Sequence, residues 1–421
     1  MPPIEAPPRE AAQTEAAPLT LHDLQSVALR RNPTLAQAHA IINAAQGMAD
    51  QAGRYPNPTI GYTGEQIGVE GTVGEFQGGY IGQEFVTGGK LRLSRRKYLQ
   101  RVRIGQSQAR AQQQRVLNGV ALRFYDALTA QHVVAIQERL LANAQDHVQT
   151  TRERLNLGQV NQAEMLQAEV EAQHDYLALL TAQRAALRAW RELASTVGSP
   201  TMPPMPLSDA RLGQSPLLDW DAALRRLLTV SPELIVARQE VEHDRIAVQR
   251  ERVEPIPNVD VQASAGQNFE TPNTVAGVTI GIELPIYNRN QGTIFQAEAD
   301  LRRASAEVKR LELVLTNRLA ERFQQYETSL ARVKTYQNEM LPKSRQAHDL
   351  LLQAYNARRG TWMDVLTARR HVLELELQLA QETNMLRQSE TLICGLLLED
   401  GLEQPQAPLS GGHIDATPDP R

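Results

Sequence analysis

The side chains that could do chemistry are thinly spread. Nine histidines are scattered over 421 residues, and no His-Glu-x-x-His or closely spaced pair offers the two imidazoles that a zinc ion needs. His174-Asp175 and His243-Asp244 are neighbours in helical stretches, where consecutive side chains point in different directions. They are read as surface or interface histidines. Ser, His and Asp occur together nowhere in a recognisable nucleophile motif, so no catalytic, metal-ligating or cofactor-binding residue is expected. The single cysteine, Cys394, excludes an intramolecular disulfide and a Cys-based zinc site. Its neighbours Leu392, Ile393, Leu396 and Leu397 mark it as a buried small hydrophobe. Carboxylates remain. Glu164 and Asp364 each follow a glycine-bearing turn, where an acid complements the positive N-terminal end of the next helix. Glu84 and Glu283 sit on the polar faces of short alternating segments.

Composition narrows the class of protein that must position them. Hydrophobic residues make up 42%, charged residues 22% and aromatics only 5% of the chain, a mix that favours long helices over a sandwich or a doubly wound sheet. A net charge of −4, a pI near 6.2 and no long basic run argue against nucleic acid as a partner. No stretch of about 20 apolar residues offers a transmembrane helix. The first residues, MPPIEAPPREAAQTEAAP, lack the charged-then-apolar plan of a secretory signal. Either the protein is cytoplasmic, or its export signal lies upstream of Met1 or has been removed. Residues 1–18 read as a disordered lead-in.

From Leu19 onward the pattern is helical, with Pro33 placed as the first residue of a second helix that ends before Tyr55-Pro56-Asn57-Pro58. Two glycine-punctuated alternating segments, 58–66 and 76–86, form a hairpin around a loop containing Gly68, Gly71 and Gly74. After Thr87-Gly88-Gly89-Lys90 no proline occurs until Pro200. That run makes long helices broken once, at Gly158. Pro200, Pro203, Pro204 and Pro206 mark a linker over 200–215. Further on, 277–292 reads GVTIGIELPIYNRNQG: Val278, Ile280, Ile282 and Leu284 lie on one face of a strand, with Thr279, Gly281 and Glu283 on the other. Pro285 closes the strand, Asn288 to Gly292 turns the chain, and a long helix follows. Pro342 marks a kink in that helix. Arg358-Arg359-Gly360-Thr361 resembles the turn at Gly158, and Val365, Val372, Leu379, Leu386 and Ile393 then recur every seven residues, as in a coiled coil.

The halves repeat one plan. Pro232 answers Pro33, Pro255 and Pro257 answer Pro56 and Pro58, and Gly281 and Glu283 answer Gly82 and Glu84 (232−33, 255−56, 281−82 and 283−84 each give 199). At the turns Glu164 answers Asp364 at 200 (364−164). The chain is a tandem duplication, with repeats at 19–199 and 216–400 and a disordered tail at 401–421. Each repeat is helix, strand, strand, long helix, turn, long helix. Four strands with open edges need closure by helices or by other subunits. Strands apolar on one face and polar on the other suit a barrel with lipid outside and water inside, or a soluble sheet packed on one helix.

Leu284-Pro285-Ile286-Tyr287-Asn288-Arg289-Asn290-Gln291-Gly292, and Gln83-Glu84-Phe85 followed by Gly88-Gly89-Lys90, resemble the strand-to-helix joints of TolC-type outer-membrane factors, and within them the CzcC-like heavy-metal efflux subgroup. The resemblance spans roughly residues 20–400. It implies a mainly α fold with a minor β part: duplicated long helical hairpins forming a trimeric α-barrel, with four strands per chain contributing to a twelve-stranded transmembrane β-barrel. It further implies a passive exit duct in the outer membrane with a long periplasmic portion, working with a periplasmic adaptor and an inner-membrane RND-type pump, in contact with outer-membrane lipid. The turns then become the periplasmic entrance and adaptor contact, at Gly158, Asn161, Glu164, Arg358, Arg359, Gly360, Thr361 and Asp364. In a trimer, Glu164 or Asp364 would form a carboxylate ring that favours cations, beside its role at the helix end. Glu84 and Glu283 become lumen candidates, solvated charges being the plainer reading. Gly88, Gly89, Pro285, Asn288 and Gly292 become the strand–helix joints. The second tip is the shorter, counted from its glycine to its acid. A polypeptide-secretion or multidrug duct of the same family, and a soluble coiled-coil scaffold, remain the alternatives.

Overall fold

The computed structural model describes residues 18–66, 75–209, 217–271 and 273–405. Most of the expected lead-in and tail, the loop with Gly68, Gly71 and Gly74, and part of the proline-rich linker lie outside the described residues. The first repeat runs α1 (Leu21–Arg31), α2 (Pro33–Gln51), β1 (Thr59–Glu65), β2 (Phe76–Phe85), α3 (Lys90–Asn156) and α4 (Gln162–Thr196). The second runs α5 (Trp220–Val230), α6 (Pro232–Val253), β3 (Val259–Asn268), β4 (Asn273–Ile282), α7 (Gln291–Thr335), α8 (Leu341–Asn356) and α9 (Trp362–Cys394). Thr20 and Asp23 form a reciprocal capping box that starts α1. Pro33 and Pro232 each open the following helix, where a missing N–H costs nothing. The 67 residues of α3 make a helix about 100 Å long.

Between α7 and α8 the backbone winds as a π-helical turn over Tyr336–Met340. This accounts for the change of offset between repeats. Arg123-Phe124 matches Arg322-Phe323 at 199 (323−124), and both phenylalanines are buried; at the tips the offset is 200. A π turn absorbs one extra residue without rotating the faces beyond it. It also lies directly ahead of Pro342, which has no N–H to give to an α-helical bond. The expected kink is therefore a π turn.

The chain divides into two compact units. One holds Gln113–Leu227 and Thr316–Glu403 with the chain up to Thr34. Its core contains Phe124, Leu193, Leu319, Tyr326 and Leu398, all buried. The proline-rich linker is fastened there. Trp190 Nε1 donates to Met202 O at 2.9 Å, Gln131 Nε2 donates to Met205 O at 2.9 Å, and Leu207 N donates to Gln131 Oε1 at 3.2 Å. Leu19 N bonds Pro206 O and Ser208 N bonds Leu19 O, both at 3.0 Å, in a parallel bridge. Asn118 Nδ2 donates to Gly395 O at 2.9 Å and Leu398 O at 2.7 Å, serving carbonyls that the end of α9 leaves open. A Cβ at Gly395 would lie 2.2 Å from that amide, so glycine is required. The heptad seam of α9 packs as expected: Val365, Leu386 and Ile393 are buried, while Val372 and Leu379 are half-buried. Cys394, at the last turn of α9, is half-buried rather than enclosed.

The other unit holds Leu35–Gln112 and Leu228–Leu315. In it Ala45 and Ala49 of α2, with Ala52 just past its end, pack closely on Tyr98 and Val102 of α3. The four strands form one antiparallel sheet in the order β1-β2-β3-β4. Its register aligns Ile60, Ile81, Ala263 and Val278 across all four strands, with Phe85, Val259 and Ile282 four residues further along the same face. The opposite face aligns Glu84, Asp260 and Gly281, then Gly82, Gln262 and Thr279. The apolar row is bare: Ile60 is 78% and Val278 71% exposed. The soluble alternative, with this face packed on a helix of the same chain, is not what forms. Strand β4 ends at Ile282, not at Leu284, because β3 begins only at Val259, behind Pro255 and Pro257, and leaves Glu283 and Leu284 nothing to pair with.

Replacing Asn118 by Ala is expected to cost about 1–3 kcal/mol, the penalty for leaving buried carbonyls unserved. It should appear as a lower thermal midpoint of the helical circular-dichroism signal; an unchanged midpoint would mean that other donors serve them.

Candidate functional site

The first candidate region is the strand–helix joint, built twice. In repeat one, Gly88 (φ +64°) and Gly89 (φ +71°) make a left-handed turn into α3, a conformation that penalises any Cβ. A Cβ at Gly88 would also press on Ile256 at 3.0–3.1 Å. Asn258 ties the joint to the next strand. Its Oδ1 accepts from Thr87 N at 3.3 Å and Lys90 Nζ at 3.0 Å, and its Nδ2 donates to Glu84 Oε1 at 2.6 Å. The Thr87 hydroxyl also donates to Pro257 O. Lys90 is buried, and that burial pushes its ammonium below the ordinary value, with Glu254 acting the other way.

Repeat two solves the same turn without glycine. Asn290 (φ +58°) takes the left-handed position. Its N–H donates to Asn288 Oδ1 at 3.0 Å, and its Nδ2 donates to Glu251 O at 3.0 Å and Glu251 Oε2 at 2.8 Å. Gly292 already lies in α7 with open space around it. Of the expected joint residues, Asn288 therefore takes part, Pro285 stands beyond the strand end, and Gly292 has no turn to make. These joints line a polar basin of about 680 Å³ that holds Glu84, Lys90, Glu254, Asp260 and Glu283. Asp260, directly across from Glu84, was not among the expected residues. The alternation Val259-Asp260-Val261-Gln262 places it on the polar face.

The second region is the pair of helix-to-helix tips. After α3, Gly158 (φ +70°) ends the helix with Gly158 N to Leu155 O and Gln159 N to Arg154 O, both at 2.9 Å. This is a Schellman closure. After α8 the same closure is made with Arg358 (φ +58°): Arg358 N to Tyr355 O at 2.9 Å and Arg359 N to Ala354 O at 2.8 Å. Arg358, not Gly360, is thus the counterpart of Gly158 (358−158 gives 200), and the two tips have the same length. The expected shorter second tip came from aligning its glycine instead. Asn161 caps α4 by accepting from Glu164 N at 3.0 Å. Thr361 caps α9 through a reciprocal pair, Asp364 N to Thr361 Oγ1 at 3.2 Å and Thr361 N to Asp364 Oδ2 at 3.2 Å. The Thr361 hydroxyl, and then its N–H, hold the Asp364 carboxyl below the usual carboxylate value. Trp362 packs on Tyr355, ring centres 5.1 Å apart. Glu164, Asp364, Arg358 and Arg359 are all exposed.

In each unit an ionic group joins two helices. Arg370 of α9 donates bidentately to Asp175 of α4 at 2.8 and 3.2 Å. His243 of α6 is only 2% exposed and is not the surface or interface histidine expected from its position. Its Nε2 accepts from Arg101 Nε of α3 at 3.3 Å, so Nδ1 carries the proton and donates to Asp244 Oδ1 at 2.9 Å. Neighbouring helix positions diverge at Cβ, but burial makes an unpaired carboxylate costly, and the short Asp244 side chain curls back to its neighbour. Burial pushes the imidazole below its ordinary value, and the Asp244 bond only partly offsets it. No periodicity signals this arrangement.

Among the described residues, no three His, Cys, Asp or Glu side chains gather into a metal cage, and no helix is long and apolar enough to cross a membrane. A bare apolar sheet face backed by a polar one, carried on duplicated helical hairpins, is the build of an outer-membrane channel subunit. The chain belongs to the outer membrane efflux protein family, whose model matches residues 24–199 and 223–397, one span in each repeat. It is 25% identical over 391 residues to the cobalt-zinc-cadmium resistance protein CzcC of Cupriavidus metallidurans, covering 93% of this chain and 91% of that one. Its fold is similar to those of CusC (TM-score 0.74, 17% identity, 92% and 94% of the two chains) and the outer-membrane channel OprN (TM-score 0.73, 19% identity, 91% of each). It is an efflux duct of the outer membrane with a long periplasmic helical portion.

Arg358→Gly is expected to stabilise the second tip by a net of about 0.5–1 kcal/mol, the left-handed Cβ penalty less the entropy of glycine; a lower denaturation midpoint would show that the arginine side chain outweighs its backbone. For His243 the fold holds the neutral form. Below pH 6.5, its ordinary value, the unfolded chain therefore takes up a proton that the folded chain refuses. Stability then falls as pH falls, by up to about 1.4 kcal/mol per unit. His243→Gln should flatten that slope between pH 6.5 and 5; an identical slope in both proteins would refute it.

Proposed function

We propose that three copies of this chain close into a passive duct that exports heavy-metal cations, taking them from an inner-membrane RND-type pump through a periplasmic adaptor. The observation that carries this reading is the sheet, whose two edge strands, β1 and β4, are unpaired and whose apolar row at Ile60, Ile81 and Val278 is exposed. Four strands cannot enclose a lumen, whereas twelve can, and lipid then covers the apolar face. Around the same axis, three chains supply twelve long helical strands for the tunnel. Glu84, Asp260 and Glu283 would face the water side near the barrel base. Glu164 and Asp364, beside their capping roles, would ring the periplasmic entrance where Gly158, Asn161, Arg358, Arg359, Gly360 and Thr361 meet the adaptor. Repeated carboxylates along a conduit favour cations while leaving each one weakly held, as conduction requires. Metal cargo is supported by similarity to a relative named for cobalt, zinc and cadmium resistance.

Deleting the protein from its host should lower survival in at least one of cobalt, zinc, cadmium and copper, and the detergent-extracted protein should run as a trimer. Unchanged tolerance to all four metals with lost tolerance to organic drugs would make it a multidrug duct instead, and a stable detergent-free monomer would sink the duct altogether.

A further inference from the structure

The duplicated helices that leave the sheet differ in charge where their backbones agree. From Phe85 to Tyr125 the first repeat carries no Asp or Glu, while seven Lys or Arg residues are spaced over positions 90–103 at the start of α3. The matching span, 284–324, carries Glu298, Asp300, Glu307, Glu312 and Glu321. Lys90, Ser94 and Lys97 share the face of α3 that lines the polar basin with Glu84 and Asp260. A helix advances about 100° per residue, so Arg92 stands about 200° round from Lys90. Arg92, Arg95, Arg96 and Leu99 are all exposed and lie on the side of the apolar row, away from the basin. Arg54 joins them. It is exposed and follows Gly53, where a Cβ would lie 2.9 Å from the Arg95 side chain. Carboxylates offset this charge poorly. Arg95 reaches Asp50 only at 3.7 Å and Arg96 reaches Glu242 only at 4.0 Å. Among the described residues no carboxylate pairs with Arg54 or Arg92.

We infer that Arg54, Arg92, Arg95 and Arg96 form a binding site for the headgroup of an anionic phospholipid, at the edge of the membrane that covers the apolar row. The inference rests on the duct reading above for the placement of the sheet in lipid, and owes nothing to the cargo. The apolar row ends at Phe85, and α3 starts five residues later, at Lys90. Tyr55, 60% exposed, stands beside Arg54. The three arginines of α3 fall about 3–9 Å along the helix from Lys90. The headgroup layer is about 5–7 Å thick on each side of the hydrocarbon, and a long arginine stem spans the remainder. A phosphodiester is the ligand that fits, because the guanidinium fork matches phosphate oxygens. Repeat two shows that the backbone does not ask for these side chains. Displaced by 199, Arg54, Arg92, Arg95 and Arg96 fall on Val253, Gln291, Ile294 and Phe295, and Phe295 is 67% exposed. One joint of each chain thus offers cations to the membrane edge where the other offers apolar side chains.

The test gives the full-length, detergent-extracted protein equal amounts of phosphatidylglycerol and phosphatidylethanolamine and identifies the retained lipid by native mass spectrometry. The unaltered protein is expected to retain the anionic lipid in preference. Arg92→Glu, at a side chain with no carboxylate partner to lose, should lower that preference at least about fivefold. Arg92→Gln, Arg95→Gln and Arg96→Gln together should bring the two lipids close to parity. Arg110→Gln, Arg152→Gln and Arg188→Gln together remove the same charge from exposed positions elsewhere and should leave the preference unchanged. Equal retention of both lipids by the unaltered protein overturns the site. An equal loss in the distant triple variant also overturns it, since net charge would then be the cause. A trimer without any preference removes the site and leaves the duct standing, whereas a stable detergent-free monomer removes both.

Discussion

The backbone hydrogen-bonding groups of a sheet edge cannot be left bare in hydrocarbon, and the rest of this structure depends on that constraint. One chain supplies four antiparallel strands in simple sequence order, with β1 and β4 unpaired at the outside. Every N–H and C=O on those two edges needs a partner within the membrane. The exposed apolar row makes the same demand from the side-chain end, since Ile60, Ile81 and Val278 have nothing to cover them in a single chain. Closure by further copies answers both demands at once.

Each strand pair must then be handed to a long helix, and the two repeats do so by different chemistry. The first uses two glycines in left-handed conformation. The second uses Asn290, whose side-chain amide is anchored on Glu251. Asparagine tolerates positive φ because its short amide can bond locally. The tips diverge in the same way, with Gly158 and Arg358 at equivalent positions. Duplication thus preserved backbone paths more closely than residue types. The π turn at Tyr336–Met340 belongs to the same history: one added residue was absorbed as a bulge, leaving the faces of α8 in register.

Two ionic groups tie pairs of helices together. Arg370 with Asp175 ties α9 to α4, and Arg101 with His243 and Asp244 ties α3 to α6. Such groups persist only where every partner is satisfied.

By itself the sequence determined the duplication, the order of elements, the hairpins, the long helices and the polar and apolar faces of the strands. Proline, glycine and alternation act over a few residues, and the repeat made each signal visible twice. The places of Glu164 and Asp364 in the first turns of their helices, and the position of Glu84 on the polar face, were legible for the same reason. The partners of His243 and Arg370, the pairing of Asp260 with Glu84, the left-handed Asn290 and Arg358, and the end of β4 at Ile282 were decided only by tertiary structure. They depend on which helix or strand lies alongside, and on burial that makes an unpaired group costly. Spacing along one chain carries no record of that neighbour.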